Sequence, residues 1–246
     1  MDRVIYTAMS GAKHVFKQQA GVANNLANVS TVGFRAQEHR FQAAPILSEA
    51  MPTRAFVVDS SVATKFQEGP LMVTGRELDV AIKGKGWLAV QLPDGTEAYT
   101  RAGSLDIDVN GTLQTKSGYA VLGDGGPIAI PPDNKVEIGS DGTVSVVPLT
   151  GTINNVNAIA RLKLVNPPEG SLERGEDGLF RLPGGTVADV DQSVKIAPGA
   201  LEGSNVNVAD TMVNLISLSR QFEMQIKLLQ TADSNAKQAD QLLSMN

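Results

Sequence analysis

From Val208 onward apolar side chains return every seven residues, at Val208, Leu215, Phe222, Leu229, Ala236 and Leu243, and Met212, Leu218 and Ile226 widen the row. A step of seven keeps a side chain near one face of an α-helix, so the spacing predicts one long amphipathic helix. The last proline is Pro198 and the last glycine Gly203, so nothing interrupts it. Asn207 supplies an N-cap, with Asp210 in the first turn. The beginning of the chain repeats the pattern: Ile5, Ala12 and Leu26 fall on a step of seven with polar Gln19 as the exception, and Met9 and Phe16 extend the apolar side. Ala8, Ala12, Ala20, Ala23 and Ala27, with Gly11 and Gly21, predict close packing of this helix against another. Such helices draw most of their stability from burial, so each is expected to be marginal in an isolated chain.

Between these ends the period drops to two. Strands are predicted at 78–82, 87–92, 105–109, 119–122, 135–138, 144–147, 158–165 and 193–196. Pro93-Asp94-Gly95, Asn110-Gly111 and Asp141-Gly142 supply the positive φ that tight hairpins need. Residues 36–75, with Pro45, Pro52, Gly69 and Pro70, read as an extended connector. The expected fold is therefore α+β. An assembly helix (1–35) and a second one (204–246) pair in a coiled-coil-like manner, joined through the connector (36–75) to an all-β antiparallel domain (76–203).

Composition narrows the function. At 246 residues with 42% apolar content the chain can build a real core, and a net charge of −5 with scattered basic residues offers no footprint for nucleic acid. Cysteine is absent, which removes disulfides, thiolate nucleophiles and Cys-based metal sites. No apolar stretch is long enough to span a membrane, and Met1 to Tyr6 lacks the basic and apolar regions of a secretory signal. Export, if it occurs, is expected to use another route.

Candidate chemical motifs have simpler readings. Asp106, Asp108 and Asn110 before Gly111 match the first half of a calcium loop, but Ser117 stands where a bidentate Glu belongs, and the alternation of Leu105, Ile107 and Val109 reads as a hairpin strand. Lys83-Gly84-Lys85-Gly86 lacks phosphate-loop spacing and reads as a strand connection. His14 and His39 have no second ligand type at metal spacing. Asp189 and Asp191 sit among turn residues, and no nucleophile, base and orienting group can be assembled, so an enzyme is not expected. No cofactor and no small-molecule substrate is expected either. A β-domain module for glycan, with Trp87 and Tyr99 as a platform on an intramolecular helical stalk, is the alternative to assembly.

The run Ala23-Asn24-Asn25-Leu26-Ala27-Asn28-Val29-Ser30-Thr31-Val32-Gly33-Phe34-Arg35 resembles the helix exit of the bacterial flagellar rod and hook axial proteins. Asparagines cap backbone groups where a helix stops, Gly33 permits a sharp turn and Phe34 anchors it. Residues 78–82, 86–90 and 99–105 are similar to the family's β strands. Leu201-Glu202-Gly203-Ser204-Asn205-Val206 and Arg220-Gln221-Phe222-Glu223 are similar to its terminal helix region, though Asn207 and Phe222 replace the commoner Asp and Tyr. The opening Val4 to Met9 and the run Arg161 to Val165 are most similar to proximal-rod members, with distal-rod members next.

The resemblance implies a structural, non-enzymatic subunit of the basal body. Its terminal helices would join those of other rod proteins in a helical tube that transmits torque across the periplasm. It also implies delivery by the flagellar type III export apparatus without a cleaved signal. The residues expected at the assembly interface are Ile5, Met9, Ala12, Phe16, Asn25, Leu26, Asn28, Gly33 and Phe34, with Val208, Met212, Leu215, Leu218, Phe222, Ile226, Leu229, Ala236 and Leu243.

Overall fold

The computed structural model describes residues 2–45, 55–148 and 156–244, and within these the side chains of 5–39, 63–148, 156–238 and 241. The chain divides into two units. One comprises Met1–Val29, Ala36–Lys65 and Val206–Asn246, the other Ser30–Arg35 and Phe66–Asn205.

In the first unit α1 (Asp2–Ala27) and α2 (Val208–Ser244) pack against one another. Gly11 of α1 faces Gln225 of α2, and further along α1 the Phe16 ring lies 6.4 Å from that of Phe222. Residue number rises on one helix as it falls on the other, so the pair is antiparallel. Asn207 caps α2 as its residue type predicts: its Oδ1 accepts from the amides of Ala209 at 3.0 Å and Asp210 at 3.4 Å.

The segment expected as an extended connector is corrected by the structure. It holds β1 (Gln37–Pro45) and β2 (Ala55–Thr64), an antiparallel ladder with a register shift between Arg40 and Phe41, and then β3 (Leu71–Val73). Pro52 lies outside the described residues. The ladder packs on α1. At Gly21 a β-carbon would come within 2.4 Å of the His39 ring, so that glycine makes room for the hairpin. The ladder thus covers part of α1.

The second unit is antiparallel β. Its central strand β5 (Trp87–Gln91) is buried on both faces and pairs with β6 (Glu97–Thr100) and β9 (Ala120–Gly123). β4 (Val80–Lys83), β7 (Leu105–Ile107), β8 (Leu113–Thr115) and β10 (Gly126–Pro127) complete the first half. The Asn110-Gly111 turn joins β7 to β8 with Gly111 at φ 78°, and Asn110 Nδ2 donates to Asp108 Oδ2 at 2.8 Å, so the hairpin reading of this segment holds. β11 (Asn134–Ile138), β12 (Thr143–Pro148) and β13 (Asn157–Arg161) form a three-stranded sheet. The strand expected over 158–165 is broken. After β13 the Leu162 amide donates to Gly142 O and the Lys163 amide to Leu122 O, so the chain changes partner before β14 (Leu164–Val165) pairs with β5.

β15 (Glu173–Arg174) and β16 (Phe180–Arg181) continue the main sheet. β17 (Lys195–Pro198) pairs with β4, and β18 (Ala200–Glu202) with β3. The largest core cluster includes Leu88, Leu105, Leu113, Val121, Val144 and Ile196. A second gathers Trp87, Tyr99 and Phe180, with the Trp87 and Phe180 rings 4.6 Å apart. Trp87 and Tyr99 are therefore core, and no sugar platform can be built from them.

Candidate assembly interface

On α1 the side turned inward is lined by small residues: Ala8, Ala12 and Val15 are buried, and Ile5 and Leu26 are half-buried. Met9 and Phe16, placed by sequence on the same side, are instead 53% and 60% exposed. Close approach of an antiparallel helix selects short side chains for the seam and leaves long ones at its border. Ala8 and Val15 were missed by a step of seven because the seam follows alternating steps of three and four.

On α2 the row Leu215, Leu218, Phe222, Gln225, Leu229, Ala232 and Ala236 is half-buried, and among the described residues no α2 side chain is fully buried. Ile226 is half-buried beside this row, and Val208 and Met212 are exposed. Leu243 lies in α2, but its side chain is outside those described. With about 100° of rotation per residue, Val213, Ile216 and Met224 fall on the side away from the row and Leu228 on its flank. All four are exposed, Val213 and Met224 to 65%. Sequence reading missed this second apolar face because it does not keep a step of seven.

The asparagines end α1 as their chemistry predicts. Asn25 Nδ2 donates to Gln37 O at 2.9 Å while Asn25 Oδ1 accepts from the Gln37 amide at 2.8 Å, tying the end of α1 to the start of β1. Asn28 Nδ2 donates to Asn24 O at 2.9 Å and covers a terminal carbonyl.

In the second unit the remaining predicted residues meet a cluster of buried charge. Gly33 has φ 69°, and its amide donates to Glu202 O at 2.8 Å. Phe34 is buried beneath the Arg174 guanidinium, 4.6 Å from the ring centroid, and Arg174 Nη1 donates to Arg35 O at 2.7 Å. Burial lowers the pKa of Arg174. Glu202, 1% exposed, forms an ion pair with Arg35 Nη2 at 2.8 Å and accepts hydrogen bonds from Arg101 Nη1 at 3.0 Å and from the Gly69 amide at 3.0 Å. Arg35 also donates to Gln67 O, and Arg101 Nη2 to Gly84 O at 2.7 Å. Arg101 lies 5.4 Å from the centre of the Trp87 ring. The pKa of Arg35 is lowered chiefly by burial, and Arg101 adds to the effect while Glu202 opposes it. The four motifs around residues 35, 69, 101 and 202 thus converge on one carboxylate. Nothing in their sequence spacing signals this.

Three family models match the chain. The model described as flagella basal body rod protein covers residues 5–35, that of the flagellar hook protein FlgE/F/G D1 domain covers 81–146, and that of the flagellar basal body rod FlgEFG protein C-terminal covers 197–242. The chain is 44% identical to the flagellar basal-body rod protein FlgF of Escherichia coli and 42% identical to that of Salmonella typhimurium, with all of both chains covered in each case. It is 33% identical to the rod protein FlgG of Bacillus subtilis over 95% of this chain and 96% of the other. With full-length identity at this level and matches at both ends and in the middle, the chain belongs to the flagellar basal-body rod protein family.

Proposed function

We propose that the chain is a structural subunit of the proximal rod of the flagellar basal body, and that α1 and α2 act as coiled-coil-like arms joining it to other rod proteins in a helical tube. The observation that carries this reading is the state of α2. One face is only half covered by α1, and Val213, Ile216 and Met224 on the far side are exposed to solvent, with Leu228 exposed on the flank between. A helix with two apolar faces on opposite sides can hold two neighbours at once, which a load-bearing tube requires and a private stalk does not. The full-length identity to FlgF proteins favours the proximal position over the distal one.

In this reading Ile5, Met9, Phe16, Val208, Met212, Leu215, Leu218, Phe222, Ile226, Leu229, Ala236 and Leu243 contribute to inter-subunit seams. Asn25, Asn28, Gly33 and Phe34 set where α1 ends. The subunit reaches the rod, which spans the periplasm, through the flagellar type III export apparatus and keeps its N-terminal segment. It performs no chemical turnover.

The test is a pair of solvent-facing charges, Val213→Glu with Met224→Glu. Both positions are exposed, so the monomer should keep its helical signal in circular dichroism and its melting temperature. Rod incorporation and swimming in soft agar should be lost. Normal motility with both charges present would overturn the assignment of this face, and normal motility after deletion of residues 208–246 would overturn the reading as a whole.

A further inference from the structure

Glu202 stands between two guanidiniums that come from distant parts of the second unit, and all three groups are almost wholly withdrawn from water: Arg35 is 1%, Glu202 1% and Arg101 5% exposed. The cluster carries one more positive than negative charge. Without the carboxylate, Arg35 and Arg101 would face each other with only the carbonyls of Gln67 and Gly84 as acceptors, and the Nε of each arginine has no acceptor among the described residues. Removing one member of a buried charged pair leaves the other uncompensated, and that state is strongly disfavoured.

The backbone is tied in the same place. The Gly33 amide donates to Glu202 O at 2.8 Å, the Gly203 amide to Pro70 O at 2.8 Å and the Asn205 amide to Phe34 O at 3.3 Å, while the Gly69 amide donates to the Glu202 side chain. Three segments, 33–35, 67–70 and 202–205, thus meet on one residue. The first continues from the end of α1 and the last leads into α2. At Gly69 a β-carbon would come within 2.0 Å of Gly203 O, so only glycine allows the two segments to approach this closely.

From these contacts we infer that Glu202 is the keystone of a two-state latch: the three segments seat together when its carboxylate lies between Arg35 and Arg101, and they release together when it leaves. A state in which the Glu202 carboxylate alone has left is strongly disfavoured, because Arg35 and Arg101 would stay buried side by side without it. A segment held only by ladder hydrogen bonds would instead fray residue by residue from its end.

The experiment is amide hydrogen exchange on the full chain, followed by NMR. In the wild type the amides of Gly33, Gly69, Gly203 and Asn205 should open with one common equilibrium constant, distinct from that of the core amides Ala89 and Leu113. Glu202→Gln keeps shape and removes charge, and should accelerate exchange of all four together by roughly 100-fold. Adding Arg101→Met to Glu202→Gln should then slow them by about tenfold, because it removes the repulsion, whereas a purely hydrogen-bonded cluster would lose a further contact and loosen more. Glu202→Asp, which keeps the charge, should give an intermediate but still common rate, and it supplies the measurement if Glu202→Gln does not fold. Four different opening constants in the wild type, or faster exchange in the double variant than in Glu202→Gln, would overturn the latch.

Discussion

At Gly33 a β-carbon has no room. The backbone is at φ 69°, and an added Cβ would lie 2.4 Å from the carbonyl carbon of Arg101. Gly33→Ala combines a strained conformation with a backbone clash and should cost about 2 kcal/mol or more, read as a lower melting temperature of the β unit. Tyr99 gives a pH-dependent counterpart. Its hydroxyl oxygen accepts from the Ala188 amide at 2.7 Å, and burial raises its pKa from 10.0 to about 12. The unfolded phenol ionises near pH 10 while the folded one stays protonated, so this contribution to stability is complete below pH 10 and is lost as pH rises from there to about 12. Tyr99→Phe should flatten that part of a stability-versus-pH curve. Residues of this kind were legible where their chemistry is local: the asparagines and Gly33 announce the end of a helix by type and order. Arg35 and Glu202 stand in separate motifs, and their union is hidden because sequence spacing carries no record of long-range closure.

The same divide between local and distant information runs through the elements. Hairpins such as β7–β8 and β11–β12 were readable because Asn110-Gly111 and Asp141-Gly142 hold the turn geometry within a few residues. The β1–β2 ladder was not, since residues 46–54 separate its strands without a two-residue turn signal. Proline-containing sequence in that stretch argued for a connector, and tertiary pairing overrode it. On α1 the step of seven from Ile5 finds Ala12 but passes over Ala8 and Val15, because the seam follows steps of three and four; Ala8 is signalled only by its small size, and Val15 by nothing in that pattern. The contact between α1 and β1 can be probed at Asn25. Asn25→Ala removes both bonds to the Gln37 backbone and leaves a buried polar pair unmet, which should cost about 1–3 kcal/mol. Amide exchange at Gln37 should accelerate, while the melting temperature of the β unit should not change.

For the whole molecule the α+β class and a central antiparallel domain follow from period and turn chemistry, but the division into units does not. Residues 30–35 belong with the β unit and residues 36–65 with the helices, so the chain passes between units more often than a four-segment plan allows. The hairpin is an insertion with adjacent ends, since the Lys65 amide donates to Ala36 O at 2.8 Å. A chain of residues 30–36 joined by a short Gly linker to residues 65–205 should therefore melt cooperatively with the β unit's own midpoint. A fragment starting at residue 66, which lacks Arg35, should melt at a lower temperature in the same calorimetric scan.

Adjacency at the other boundary has a practical consequence. The Gly33 amide meets Glu202 O and the Asn205 amide meets Phe34 O, so the β unit begins and finishes on neighbouring strands, about 5 Å apart. Such a domain is a cassette: a foreign fold whose own termini are equally close could be grafted in its place, and the bacterium could be made to carry chosen cargo along its motor shaft.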